Sequence, residues 1–244
     1  MKITYLSIYL VFWAILILTS CSNDGGQATG PLTQGDITGS VNLYNEATTP
    51  QSNSGMTVTV HGTDFSAITD SQGNFTISDI PFGFYTLVYQ KSGYGTFKIF
   101  DVEHDSSLTP ISKTPSLGKV SSTEVTGLSA FTNDSEVVIS ISTDPAGSNS
   151  NTRYVRYFLS VDSDVSQTNY HYYSPGLTSR INPYETILSS NDLAEAGFLS
   201  GQMVYVKAFG DSFWSNEYYN PDLDQKVFPN VNTSSATAVS FVVP

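Results

Sequence analysis

Three histidines, His61, His104 and His171, are the only imidazoles of the 244-residue chain, and they lie far apart. No two of them have the i, i+4 spacing that sets two ligands on one helical face, and HExxH, CxxC, GxSxG and P-loop patterns are all missing. A triad is defined by geometry and not by order, so a hydrolase without a readable motif stays open as one reading. Acids two residues apart occur at Asp162/Asp164, Asp222/Asp224 and Asp101/Glu103/Asp105. Calcium takes about six to eight oxygens from a loop, and a Gly-centred ligand loop accompanies none of these pairs. Solvated turn carboxylates are the simpler reading. The expectation is no catalytic residue, no metal ligand and no cofactor.

Aromatic side chains are the better candidates. Tyr172 and Tyr173 follow Tyr170-His171, Phe213 adjoins Trp214, and Tyr218 adjoins Tyr219. A planar ring with a polar edge stacks on a sugar ring and bonds its rim, which makes these six residues candidate ligand contacts. The plainer alternative is that they cover the ends of a sandwich or pack an edge strand. Neighbours such as Tyr172 and Tyr173 would face opposite sides of a strand, so at most one of each pair is expected in a core.

Charge narrows the partners. Ten basic against 22 acidic side chains give a net charge of −12. Counterion release on a phosphate backbone needs clustered Lys and Arg, so nucleic acid is excluded as a partner. Charged residues are only 13 % of the chain, while Tyr (15) and Phe (14) are plentiful, the profile of an all-β extracytoplasmic protein.

The first twenty residues read as an address. Lys2 precedes an apolar run from Ile3 to Leu18, and Leu18-Thr19-Ser20-Cys21 closes it. This tetrad resembles the lipobox of bacterial lipoproteins. The resemblance implies cleavage after Ser20, diacylation of the Cys21 thiol and a membrane anchor. A transmembrane helix is the alternative, since the run approaches the roughly 17 residues needed to span. Cys21 is the only cysteine, so no internal disulfide can form and the thiol is either free or occupied. Removal of residues 1–20 takes away one more positive charge, so the chain has no electrostatic attraction to an anionic membrane and the lipid must anchor it. Residues 21–35 read as the lipidated Cys and a flexible tether. Ser22-Asn23-Asp24 is partly similar to a surface-routing signal. The expected location is the outer membrane, facing the periplasm or the cell surface.

Beyond the tether the period is two. Ile37, Val41 and Leu43, then Met56, Val58 and Val60, then Phe75 and Ile77, then Tyr85, Leu87 and Tyr89 alternate with polar residues. Gly39-Ser40-Val41, Thr69 to Phe75, Pro81 to Tyr85 and Gly93-Tyr94 occur in an order that resembles the carboxypeptidase regulatory-like domain. That implies a transthyretin-like sandwich over 36–104, with Asn45 to Ser54 inserted in its first hairpin. The zinc-binding His-x-x-Glu of the associated peptidases is absent after His61 and His104, and the resemblance therefore implies a fold and no chemistry. Sugar binding by the same fold elsewhere is an analogy.

Residues 105–117, rich in Ser, Thr and Pro, read as a linker. Strands resume in 118–244 around Val137–Ile141, Tyr154–Leu159, Met203–Phe209 and Ala236–Val243. Ser189 to Leu199 is the one helical candidate. Gly201 to Phe209 resembles a late strand of fibronectin type III-like domains, implying an Ig-like sandwich. Residues 162–200 and 211–232 exceed a minimal domain and are expected as inserted or extended loops.

Three functions follow. One is a non-catalytic membrane-anchored binding or adhesion module that takes a polysaccharide or protein partner. Another is a structural accessory docking on an outer-membrane or secretion complex. The third is the hydrolase without a motif. Cells grown on labelled palmitate should yield a labelled mature chain, and Cys21→Ala should abolish the label. An unlabelled product retaining Met1 contradicts the lipoprotein reading.

Overall fold

The computed structural model describes residues 33–244. The expectations for residues 1–20, for Leu18, Thr19 and Ser20, and for Cys21 lie outside the described residues. In the first half, alternation yields β1 (Gln34–Ser40), β2 (Asn42–Leu43), β3 (Thr57–Val60), β4 (Ser66–Ile68) and β5 (Asn74–Pro81). They are followed by β6 (Gly83–Gln90), β7 (Phe97–His104), β8 (Leu108–Pro110) and β9 (Ser116–Leu117). One sheet runs β5-β1-β8 and the other β4-β3-β6-β7. Ile37, Met56, Val58, Leu87 and Tyr89 fill the space between them, all fully buried. The corner before β5 is set by Asp70, whose carboxylate accepts the N–H groups of Gln72 (2.9 Å) and Asn74 (2.8 Å).

The segment 105–117 is not a linker. β8 lies parallel to β1, with Asp36 opposite Leu108 and Thr38 opposite Pro110, and β9 lies parallel to β2. Both strands are too short to show a period, and β8 is an edge, where the missing N–H of Pro110 disrupts little. Ile111 packs on the first core. At the other end Gln34 and Gly35, expected within the tether, already pair with Pro81 and Ile80.

The second half contributes β10 (Glu124–Asn133), β11 (Glu136–Asp144), β12 (Arg153–Ser160), β13 (Tyr172–Tyr173), β14 (Leu177–Ser179) and β15 (Tyr184–Ser189). Then come α1 (Ser190–Glu195), β16 (Met203–Asp211), β17 (Tyr218–Asn220), β18 (Gln225–Val227) and β19 (Val239–Val242). The sheet β10-β11-β15 faces a sheet in which β13 and β14 both pair with β12, followed by β16 and β19. The chain crosses between the two sheets, which pack as a β-sandwich around the second core. The helix is shorter than its candidate span. Ser189 caps it reciprocally with Asp192, and Leu193 anchors it in the core.

Residues 162–200 and 211–232 are more than loops. They supply β13 to β15, α1, β17 and β18. The cause is visible in β12, whose two faces are both large: Val155, Tyr157 and Leu159 enter the main core, while Phe158 faces outward. Phe158 and Phe209 are nonetheless buried, because Val165, Phe228 and Val231 cover them as an added layer. Tyr172 and Tyr173 pack against different layers, as alternation along a strand requires, and neither is fully buried: Tyr172 rests against the main core, and Tyr173 lies 4.9 Å from the Phe228 ring in the added layer.

The same added segment ties the two sandwiches together. Asn230, fully buried, accepts the Gly95 N–H (3.0 Å) and donates to the carbonyls of Gly118 (3.0 Å) and Trp214 (2.7 Å). Asn216 accepts the Gly118 N–H at 2.8 Å and donates to Asn230 Oδ1 at 3.0 Å. A Cβ on Gly95 would strike the Pro229 carbonyl, and one on Gly118 the Trp214 carbonyl, so the backbones meet this closely only through glycine. Asn230→Ala orphans several buried groups at once and should cost about 3 kcal/mol. Urea unfolding of the variant checks this, and a loss under about 0.5 kcal/mol would contradict it.

Candidate functional site

The segment after β16 carries four of the six candidate aromatics. Pairing of β12 with β16 and with β13 brings the other two, Tyr172 and Tyr173, to the same region. Arg156 lies centrally on β12. Its Nε donates to Asp211 at 2.8 Å, one terminal nitrogen to the Ser174 carbonyl at 2.7 Å, and the other to Glu217 at 2.9 Å. The guanidinium also stacks 4.5 Å from the Phe228 ring centre. Lys226 completes the set with a 2.8 Å bond to the second oxygen of Glu217.

Burial pushes the Asp211 carboxyl upward, opposed by the Arg156 charge and bond and by the Ser212 N–H. Glu217 is only partly buried. That burial raises it too, but the Lys226 bond, the charges of Arg156 and Lys226, and the Ser215 hydroxyl together bring it below the usual range.

Three recesses open around Glu217, which lines all of them. The junction recess, about 510 Å³, is walled by Phe213, Trp214, Tyr154 and Phe97 and by the Lys113–Leu117 segment. A second, about 570 Å³, lies along β7 and β8 and is closed by Tyr218 and Tyr219. A third, about 550 Å³, lies over β13 between Tyr172, Tyr173 and Lys226. All six candidate aromatics thus line one surface that crosses both sandwiches.

Their roles differ. Phe213 and Tyr219 are about half exposed (48 % and 52 %) and offer ring surface to a ligand. Trp214 leans on Tyr44, with centroids 5.1 Å apart, and its indole N–H is buried without a partner, so that edge bonds nothing in the recess. Tyr218 packs edge-on against Phe97 at 6.0 Å and holds the segment onto the first sandwich. The Tyr219 hydroxyl donates to Asp224. Arg156, Glu217, Tyr154 and Phe97 escaped sequence reasoning as site residues. A charge in mid-strand on the same face as Phe158 was the signal for Arg156.

The histidines serve structure or stand apart. His104 is buried between the Ile80 carbonyl (3.1 Å) and the Thr109 hydroxyl (2.7 Å). His171 Nδ1 meets Ser160 Oγ at 2.9 Å, but Ser160 is fully buried. Among the described residues, no three of His, Cys, Asp or Glu come together to hold a metal ion.

Residues 37–125 match the CarboxypepD_reg-like domain family. The matched span runs past the first sandwich through the segment expected as a linker. No curated protein matches the chain. Among solved structures, a type II cohesin–X-dockerin complex of Acetivibrio cellulolyticus is 26 % identical over 35 % of this chain and 58 % of that one, with TM-score 0.30. A protein of Bacteroides uniformis provisionally described as carbohydrate-binding is 13 % identical, covers 85 % of this chain and 98 % of its own, and has TM-score 0.32. A DUF3823 family protein of Bacteroides ovatus is 11 % identical over 86 % and 100 % of the two chains, TM-score 0.30.

The sign of the Glu217 effect can be tested. Its lowered folded-state pKa makes its contribution complete above the unfolded value of about 4.3 and lost as pH falls through the lower folded value. The stability difference between the native chain and Glu217→Gln should be widest near neutral pH and shrink as pH falls below the ordinary carboxylate value. A difference that grew toward acid would contradict the assignment.

Proposed function

We propose that this chain is a non-catalytic lipoprotein, anchored through Cys21 in the outer membrane, that binds a saccharide in the groove formed by the three recesses. The observation that supports it is the gathering of all six candidate aromatics on one surface, with half-exposed Phe213 and Tyr219 beside carboxylate, guanidinium and ammonium groups. Apolar ring faces rimmed by a few fixed polar groups are what a sugar's alternating C–H faces and hydroxyl edges require. Arg156, Asp211, Glu217 and Lys226 neutralise one another; buried Arg156 and Asp211 are scaffold, while the partly exposed Glu217 and Lys226 offer a fixed acceptor and donor.

The mature chain in a detergent without a sugar headgroup should be retarded in affinity gels by at least one polysaccharide of a broad panel, with a change in Trp214 emission. Phe213→Ala and Tyr219→Ala should each weaken that binding by about tenfold, at unchanged thermal stability. Full affinity in both variants would show that the groove is not the site. Absence of retardation by every polysaccharide would favour the docking-subunit reading instead.

A further inference from the structure

The three recesses form a series. The one along β7 and β8 shares Phe97, Lys113 and Pro115 with the junction recess, and the junction recess shares Arg156 and Gly176 with the one over β13. The two outer recesses have only Glu217 in common. The order along the surface is therefore outer, junction, outer. Each has the capacity of a site for a whole small ligand, about 300 to 1,000 Å³. A monosaccharide or disaccharide would leave most of such a surface empty.

Charge adds a second constraint. Lys98, Lys113, Arg156 and Lys226 line the series, against Asp101, Glu103 and Glu217, with Asp211 behind Arg156. Positive and negative groups balance there, on a chain with a net charge of −12. A polyanion gains nothing in this groove and is repelled by the remainder of the molecule.

Resting on the saccharide reading above, we infer that the ligand is a neutral polysaccharide chain that lies across both sandwiches and occupies the three recesses in succession. Affinity then rises with chain length until all three are filled. The first sandwich is half of the binding surface and not a spacer.

Gly176 provides a clean block. Its backbone is free of positive φ, and a Cβ there would have only a terminal nitrogen of Arg156 within 4 Å, at 3.7 Å, at the passage between the junction recess and the one over β13. Calorimetry on the mature chain would use malto-, cello-, xylo- and manno-oligosaccharide ladders of about two to eight units, with oligogalacturonates as the charged series. On at least one neutral ladder, affinity should climb by about tenfold or more from dimer to hexamer and then level off. Gly176→Leu should reduce the hexamer to the affinity of the short members while leaving the melting temperature unchanged. Equal affinity for dimer and hexamer, unaltered hexamer binding by Gly176→Leu, or tighter binding of the charged series would each overturn the inference while leaving saccharide binding standing. No binding on any ladder, nor on the polysaccharide panel, would overturn both.

Discussion

The outer face of β12 and β16 carries Phe158, Phe209 and Arg156, and a two-sheet sandwich alone leaves that face in water. Covering it is the constraint from which the other features follow. The chain meets it with residues 162–173 and 212–232, which supply Phe228, Val165 and Val231 for the two phenylalanines and Glu217 for the guanidinium, already paired with Asp211 at the end of β16. Burying an ion pair gives little net stability, but leaving Arg156 unpaired there would cost several kcal/mol. The covering segment consequently has one seat.

That seat has consequences at both ends of the segment. Asn216 and Asn230 reach the Gly95 and Gly118 backbones, so the layer that completes the second sandwich also fastens the first. The Phe213 N–H donates to the Glu46 carbonyl at 2.9 Å, and the Ser212 hydroxyl donates to the Lys119 carbonyl, extending the seam. The recesses are what remains between the seam and the sheets. Their walls are strands and a doubly tethered segment, which suits a ligand that must be held without much loss of side-chain freedom on binding.

Much of the β architecture was legible because half-buried strands alternate: β3, β5, β6, β11 and β12 follow the period-two runs. Ser189 and Asp192 likewise marked the helix start. The segment 105–117 was not legible, since strands of two and three residues have no period and Ser, Thr and Pro resemble a tether. Tyr172 and Tyr173 follow the alternation to different layers, but alternation assumes one wet face, and here both faces are partly covered. Ring chemistry picked out the six aromatics, but their meeting depends on the register of β12 against β13 and β16, a nonlocal fact. Glu217 had no signal in isolation, because its importance comes from Arg156 and Lys226, at 61 and 9 residues' distance.

The central claim is that both sandwiches and the covering segment form one continuous, fixed surface. Amide hydrogen exchange at Gly95 and Gly118 tests it most directly, because their N–H groups donate to Asn230 and Asn216 across the seam. If the surface is fixed, these two amides exchange as slowly as Val206 in the central β16, through global unfolding alone. Exchange about a hundredfold faster than Val206 would show the seam opening on its own and would contradict the account.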